Sequence, residues 1–189
     1  MIIKRASIPG CCVITPKTFI DQRGIFIKMY ERKLFEKNNL ATTFVDEFYT
    51  CSKKGVFRGF HFQTPPFDQI KLISCMQGEV MDIIVDLRIG SPKYGCHEVF
   101  KLSDEDRNML YLSPGIAHGF LTLTDNAIMH YKATSEYSPI HDSGIRWNSI
   151  GIKWPIDDLI ISERDLQFTN MKEFISPFKY SNESGMANG

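Results

Sequence analysis

The sequence predicts an all-β domain built as a sandwich or barrel of short strands. Segments rich in β-branched and aromatic residues recur along the chain, and turn-forming stretches such as DQRG, TPPFD and LTDN separate them. Helical spacing is confined to YERKLFEKNNL near the start and ISERDLQFTNMKEFI near the end. We therefore expect only a few short peripheral helices.

The strand signal is carried, in chain order, by CCVIT, GIFIKMY, GVFRGFHFQ, IKLISCM, EVMDIIVDL, HEVFKL, MLYLS, HGFLTL and IMHYK. Within this series, QIKLISCMQGEVMDIIVDL is typical of a hairpin that turns at Gln77 and Gly78. No fixed-period repeat and no low-complexity linker divides the chain. We predict one domain over residues 1–180 and a disordered C-terminal tail over residues 181–189.

Composition and charge exclude several classes of protein. The chain has 189 residues, 43% of them hydrophobic, which is enough for one core that excludes water. Because 22 Lys and Arg balance 22 Asp and Glu, neither a nucleic acid nor an anionic membrane surface is an expected partner. Apolar runs are too short to span a membrane. The five cysteines lack a Cys-x-x-Cys pair and follow no secretory leader, which predicts reduced thiols in a cytoplasmic protein.

The strands carry polar residues that are candidates for chemistry. In VFRGFHFQ, alternation puts His61 on the face opposite to Phe60 and Phe62. A glycine in mid-strand, Gly59, predicts a bulge or a ligand close to the backbone. Lys71 lies among isoleucine and leucine in IKLIS and needs a partner if it is buried.

Each candidate also has a purely structural interpretation. A lone strand histidine such as His61 is more often a hydrogen-bonded core residue than a catalyst. Lys71 could extend to solvent, and Tyr131 and Tyr137 could simply pack. A cupin-type metal site would need His-x-His, but the second position holds Gln63, so we predict no metal.

Taken in order, GVFRGFHFQ, QIKL, QGEVMDIIVDLRIGSP, LSPGIAHGF, YKATSEYSP, GIRWNSIGIKWP and ISERD resemble the motifs of nucleotide-sugar 3,5-epimerases. The type member of that family acts on dTDP-4-keto-6-deoxyglucose. The resemblance extends from about residue 3 to about residue 168. It implies a double-stranded β-helix, the jelly roll of the cupins, and a homodimer that exchanges an N-terminal strand. It also implies that no cofactor or metal takes part.

The resemblance implies acid–base chemistry on a nucleoside-diphosphate-linked 4-keto sugar. A proton next to the keto group is acidic because its removal gives an enolate, so a base, an enolate-stabilising group and an acid are needed. His61 matches the base, and Asp165 matches the carboxylate that orients it and raises its basicity. Lys71 matches the group beside the C4 oxygen. Tyr131 matches the acid that returns a proton from the opposite face.

Other matched positions imply contacts with the substrate. Arg23 and Arg58 match a diphosphate clamp, which suits the bidentate geometry of guanidinium. Strict alternation would put Arg58 opposite His61, so we expect either a bulge at Gly59 or a phosphate that Arg58 reaches around the strand edge. The further substrate-binding residues that the resemblance implies are Gln63, His118, Tyr137 and Phe26.

Two departures from the family concern the nucleotide. Lys28 stands where members with a thymidine substrate commonly have an acidic residue, and Glu47-Phe48-Tyr49 stands where they have Gln-x-Asn. GDP is therefore an alternative to dTDP, with Glu47 a candidate to accept hydrogen bonds from guanine. The sugar is expected to be a deoxyhexose or a heptose for a surface polysaccharide. Inversion at C3, at C5 or at both remains open.

Two other functions remain open at this point. A cupin-type nucleotide-sugar 3,4-ketoisomerase would share the fold and move the carbonyl instead. A non-catalytic nucleotide-sugar binding protein would keep the two arginines without turnover. The joint presence of His61, Lys71, Tyr131 and Asp165 favours the epimerase.

Overall fold

A computed structural model describes residues 1–181 as a β-rich domain with two short helices. Strand content far exceeds helix content, as the sequence predicts. The elements in chain order are β1 Ile2–Arg5, β2 Cys12–Thr15, β3 Lys17–Asp21, β4 Gly24–Lys28, α1 Arg32–Lys37, β5 Asp46–Lys53, β6 Phe57–Gln63, β7 Lys71–Gln77, β8 Glu79–Asp86, β9 His97–Ser103, β10 Met109–Leu112, β11 Ile116–Thr122, β12 Asn126–Ala133, β13 Asp142–Gly144 and α2 Glu163–Leu166.

Two sheets form the body of the fold, which is the predicted double-stranded β-helix. The six-stranded sheet has the order β1-β2-β10-β7-β12-β5, and the five-stranded sheet has the order β13-β6-β11-β8-β9. A separate two-stranded ribbon joins β3 to β4. All of these strand pairs are antiparallel.

The hydrophobic core has three parts, set by the alternation of side chains along the strands. The central part lies between the sheets and includes Ile73 from β7 and Ile84 from β8. A second part covers the outer face of the five-stranded sheet, where Phe60 packs in the same cluster as Phe178 from the C-terminal segment. A third covers the six-stranded sheet, where Phe35 of α1 packs in one cluster with residues of β2, β7 and β10. The second and third parts close the outer faces of the two sheets, and the cavity opens between the sheets, next to the central part.

The expected bulge is present in β6. His118 of β11 pairs with His61 and Phe120 pairs with Arg58, so two steps on β11 match three on β6. Because of this extra residue, Arg58 and His61 both line the cavity between the sheets. The prediction of the bulge is confirmed.

The predicted hairpin at Gln77 and Gly78 is wrong. The chain does turn there, with Gly78 at a φ of 76°, but β7 belongs to the six-stranded sheet and β8 to the five-stranded sheet. The turn therefore carries the chain from one sheet to the other. In sequence the two arrangements look alike, because both need two apolar strands with a glycine between them.

Both helices are shorter than their sequence patterns. The first pattern yields α1, Arg32–Lys37, and the second yields only α2, Glu163–Leu166. The apolar residues after α2, among them Met171 and Phe174, instead pack on the outer face of the five-stranded sheet. Tertiary packing of an irregular segment thus overrides the helical spacing.

The remaining expectations about the chain concern its ends and its thiols. The five cysteines are free thiols. Among the described residues, no helix combines the length and the apolar character needed to cross a membrane. The predicted tail lies outside the described residues except for Ser181.

Gly59→Ala should destabilise the fold because β6 lies against β11 at this point. A Cβ on Gly59 would lie 2.5 Å from Cα of Gly119, and the φ of Gly59 is 145°. We expect a loss of about 3 kcal/mol or more in the free energy of unfolding, measured by denaturant titration. Gly151→Ala is the control, since Gly151 also has a positive φ (77°) but no heavy atom near the added Cβ within 4 Å. Equal losses in the two variants would contradict the close-approach argument.

Candidate active site

A cavity of about 450 Å³ opens between the two sheets. The five-stranded sheet contributes β6, β11 and β13 to its wall, and the six-stranded sheet contributes β5, β7 and β12. Seven of the residues singled out from the sequence line it, namely Arg58, His61, Gln63, Lys71, His118, Tyr131 and Tyr137. The sequence therefore predicted the greater part of the cavity's titratable wall.

His61 and Asp165 lie within hydrogen-bonding distance of each other at this wall. The imidazole Nε2 lies 2.9 Å from Oδ1 of Asp165. The other carboxylate oxygen accepts a hydrogen bond from the backbone N–H of Gly59 at 3.1 Å. Asp165 is buried in α2, which begins at the N-cap Ser162, and the Ser162 hydroxyl accepts a hydrogen bond from the Asp165 N–H. The pairing predicted from ISERD is confirmed in its geometry.

The electrostatics of this pair differ from the expectation. Burial lowers the pKa of His61, and this outweighs the hydrogen bond and charge of Asp165, which act to raise it. Burial also acts to raise the pKa of Asp165, but the His61 hydrogen bond and charge bring that pKa down to about 2. At neutral pH the imidazole is thus neutral beside an ionised carboxylate, and it can accept a proton.

Lys71 is the buried cation of the cavity. Its strand β7 turns Lys71 and Ile73 toward the space between the sheets. Burial lowers its pKa to about 8, against the charges of Asp142 and Asp82, which raise it. The ammonium lies 3.4 Å from the main-chain oxygen of His61. Lys71 is therefore still largely protonated at neutral pH and can stabilise negative charge on a bound oxygen.

Tyr131 faces the cavity from β12 on the opposite sheet from His61. Its ring stacks on Phe48 of β5, with centroids 4.8 Å apart and planes 15° apart. Burial, with a further contribution from the charge of Asp82, raises the pKa of the phenol. The hydroxyl therefore stays protonated over the physiological range and can donate a proton.

His118 and Asp82 form a second buried pair, on β11 and β8. The imidazole Nε2 is 2.8 Å from Oδ2 of Asp82, and both side chains are almost fully buried. The other carboxylate oxygen of Asp82 has no hydrogen-bond partner among residues 1–181. Asp82 thus places a negative charge that acts on both Lys71 and Tyr131.

Gln63 lines the cavity, but its amide is used to hold the surrounding loops. The NH2 group donates to the main-chain oxygens of Phe67 at 2.9 Å and Glu136 at 3.1 Å. The amide oxygen accepts from the backbone N–H of Ser138 at 2.6 Å. These bonds fix the loop that carries Tyr137, so Gln63 acts on that tyrosine through the backbone.

Four predicted substrate-binding residues do not line this cavity. Arg23, Phe26 and Lys28 belong to or adjoin the β3–β4 ribbon, where Arg23 pairs with Asp21 and is 85% exposed. Glu47 also lies elsewhere, since the alternation of β5 turns Asp46, Phe48 and Thr50 into the cavity and Glu47 away from it.

Glu47 instead binds two residues of β12 outside the cavity. Its carboxylate is 2.8 Å from Nε2 of His130 and 3.4 Å from Nζ of Lys132. The side chains that occupy the corresponding part of the wall are Asp46 and Phe48. Sequence reasoning missed both because it did not recognise β5 as a strand, and it assigned Glu47 to the nucleotide instead.

Sequence reasoning also missed Asp142 and Arg164. The Arg164 guanidinium donates from Nη1 to Oδ2 of Asp142 at 2.7 Å and from Nε to Oδ1 of Asp165 at 3.1 Å. The Tyr137 hydroxyl donates to the same Asp142 oxygen at 3.3 Å. A usable signal for Arg164 was its position directly before Asp165 in ISERD.

Arg58 is the cavity cation suited to an anionic ligand. Its Nε donates to the Ser52 hydroxyl at 2.9 Å, and within residues 1–181 it forms no ion pair with a carboxylate. Guanidinium binds phosphate oxygens in a bidentate manner.

As for metals, the described part of the chain contains no group of three or more His, Cys, Asp and Glu residues placed to hold an ion.

Groups that can accept a proton and groups that can donate one lie on opposite sheets of one cavity, an arrangement that suits an isomerase with a cupin-like fold. Comparison with known proteins gives the family. Residues 5–173 match the family model of dTDP-4-dehydrorhamnose 3,5-epimerase, and the chain belongs to that family. It is therefore an enzyme of the isomerase class, an epimerase.

Individual relatives agree with this family. A dTDP-4-dehydrorhamnose 3,5-epimerase from Methanothermobacter thermautotrophicus is 41% identical over 174 residues, covering 89% of this chain and 94% of the relative. A dTDP-4-dehydrorhamnose 3-epimerase from Streptomyces niveus is 36% identical, covering 87% and 81%. Among solved structures, the Legionella pneumophila epimerase in complex with dTDP-4-keto-L-rhamnose is 31% identical, with a TM-score of 0.90, 95% of this chain and 99% of that chain covered.

Proposed function

We propose that this protein inverts carbon centres next to the keto group of a dTDP-4-keto-6-deoxy sugar. The observation that carries the proposal is a cavity lined by His61 from one sheet and by Lys71 and Tyr131 from the other, with Asp165 of α2 next to His61. The names of the matched relatives support the substrate class. The groups present cover the three needs of the reaction, which are a base, a stabiliser of the enolate and an acid.

In the proposed first step, His61 removes the proton from the carbon next to the carbonyl. The C–H electrons become the new C=C bond of the enolate, and the carbonyl electrons move to the C4 oxygen. Asp165 stabilises the imidazolium that forms, because it is ionised and hydrogen-bonded to the ring. Lys71 stabilises the negative charge on the oxygen, since a charge-assisted contact is strong in a buried cavity.

In the second step, Tyr131 donates its hydroxyl proton to the same carbon from the other side. The enolate electrons form the new C–H bond, the carbonyl is restored and the centre is inverted. His61 then loses its proton and the tyrosinate regains one, which returns both groups to their starting states. The same groups can act on C3 and on C5 if the sugar ring is presented twice. The matched relatives include a 3,5-epimerase and a 3-epimerase.

For the nucleotide we propose dTDP rather than GDP. The relatives with named substrates are dTDP-sugar enzymes. The argument for GDP depended on Glu47, which points away from the cavity and binds His130 and Lys132. Arg58 is placed to contact the diphosphate.

We further propose a homodimer in which the β3–β4 ribbon of one subunit reaches the cavity of the other. The ribbon exposes the pair Phe19 and Phe26 on one face and the pair Ile20 and Ile25 on the other, and apolar side chains exposed on both faces of a small ribbon favour a protein partner. Within residues 1–181, Arg23 at its turn has Asp21 as its one ion-pair partner. A second subunit would cover the ribbon and place Arg23 in the diphosphate clamp.

The first test follows substrate hydrogens by proton NMR in deuterium oxide, with dTDP- and GDP-linked 4-keto-6-deoxy sugars in parallel. Wild-type protein should lose the C3 or C5 proton signals of the dTDP sugar and form its epimer. His61→Ala should slow exchange by about 100-fold or more because the base is missing. Tyr131→Phe should keep exchange but lose inversion.

Several outcomes of this experiment would contradict the proposal. Absence of exchange with the dTDP sugar would favour a non-catalytic nucleotide-sugar binding protein. Formation of a 3-keto product would favour a ketoisomerase. Preference for the GDP sugar would overturn the nucleotide assignment. Lys93→Ala, at a residue outside the cavity, is the control for unspecific effects of substitution.

The pH dependence of kcat/KM should be bell-shaped. Activity should fall as pH rises through about 8, because Lys71 loses its proton, and should fall at low pH once His61 becomes protonated below its ordinary value. Lys71→Arg should move the alkaline limb upward, since guanidinium stays protonated. An alkaline limb that is identical in wild type and Lys71→Arg would assign that limb to another group.

Subunit complementation tests the ribbon proposal. Arg23→Ala and His61→Ala should each have low activity alone. After the two are unfolded and refolded together, half of the dimers should be mixed, and one of their two cavities would hold both His61 and the partner's Arg23. About one quarter of wild-type activity should return. If Arg23 serves its own cavity, no site is complete and no activity returns.

A further inference from the structure

Arg164 contacts three groups around His61, one of which is the imidazole itself. Nη2 of Arg164 donates a hydrogen bond to Nε2 of His61 at 2.7 Å. Its Nη1 and Nε bind Asp142 and Asp165. The side chain is nevertheless 52% exposed. The base of the proposed reaction therefore has a guanidinium in direct contact with a ring nitrogen.

This contact conflicts with the hydrogen bond between His61 and Asp165. Both neighbours approach the same atom, Nε2, with Asp165 Oδ1 at 2.9 Å. A guanidinium only donates hydrogen bonds and an ionised carboxylate only accepts them. A proton on Nε2 satisfies Asp165, and a lone pair on Nε2 satisfies Arg164. The neutral ring can satisfy only one of the two at a time.

The choice between these tautomers decides whether the ring can act as a base. Within residues 1–181, Nδ1 of His61 has no hydrogen-bond partner, so Nδ1 is the nitrogen left for the substrate. When Arg164 donates to Nε2, the single ring proton is on Nδ1, which then cannot accept another. When Nε2–H donates to Asp165, Nδ1 carries the lone pair that proton abstraction requires.

We propose that Arg164 is a positioning residue that holds His61 in its unreactive tautomer until bound substrate draws the guanidinium away. The inference rests on the proposed function, in which His61 is the base. It makes proton abstraction depend on the nucleotide part of the substrate, although the reacting carbon lies in the sugar.

The surroundings give Arg164 both a reason and the room to move. Arg164, His61 and Arg58 line the main cavity and also a neighbouring cavity of about 600 Å³, so they form the partition between the two. A diphosphate beside Arg58 attracts guanidinium more strongly than a neutral ring nitrogen does. The other charged groups near His61 do not compete for Nε2, because Lys71 contacts the main-chain oxygen of that residue.

The tautomer can be read from the ¹⁵N shifts of the histidine ring nitrogens, at a pH where the ring is neutral. The chain has five histidines, and His61→Gln assigns the signals of His61 by their loss. Free wild-type protein should carry the proton on Nδ1. Saturating dTDP-glucose, which has no keto group and cannot react, should move it to Nε2. Arg164→Met should show the Nε2 proton without any ligand.

Two variants complete the experiment. Arg164→Lys keeps a charged donor and should restore the Nδ1 proton, which a loss of local structure would not do. Arg32→Met removes an exposed arginine of α1 that pairs with Glu36, and it should leave the His61 signals unchanged.

Three results would overturn the inference: an Nε2 proton in free wild-type protein, an unchanged tautomer in Arg164→Met, or no change with dTDP-glucose. These failures differ from failure of the proposed function, which the exchange of substrate hydrogens by wild-type protein tests separately. Exchange with an Nε2 proton already present in the free enzyme would retain the epimerase and remove only the role of Arg164.

Discussion

The close approach of β6 to β11 at Gly59 and Gly119 is the constraint on which the site depends. Two backbones can meet there only because neither residue has a side chain. The extra residue that this contact accommodates in β6 turns Arg58 and His61 to the same side. The phenylalanines of β6 remain together in the outer hydrophobic cluster. An ion-binding group and a base thus share one wall without loss of apolar packing.

Burial then sets the protonation state of each group in the cavity. It favours the neutral form of every group, so it lowers the pKa of His61 and Lys71 and raises that of Tyr131. Two carboxylates modify this common effect. Asp165 acts to raise the pKa of His61, and Asp82 acts to raise the pKa of both Lys71 and Tyr131. The base is left without its proton and the acid with it at the same pH, which is the separation that acid–base catalysis needs.

The sequence predicted the fold class and nine of the thirteen strands within residues 1–181, and it left out β1, β3, β5 and β13. It missed β5, because this strand begins with Asp46 and Glu47 and ends with Ser52 and Lys53, all poor strand formers. Eight successive pairs with β12 hold β5 in place. That pairing is a property of the whole sheet and leaves no local signal. The same omission led to the assignment of Glu47, rather than Asp46 and Phe48, to the nucleotide side.

Short motifs were enough to identify the family and the β-roll and to single out His61, Lys71, Tyr131 and Asp165 as candidates, because motifs fix residue type and order. Only the tertiary structure decided which side chains share the cavity, since strand phase, the bulge and the change of sheet at Gly78 depend on long-range pairing. It also decided the direction of the His61 pKa, where burial outweighs the carboxylate. Desolvation is set by everything packed around a group, and no local stretch of sequence contains it.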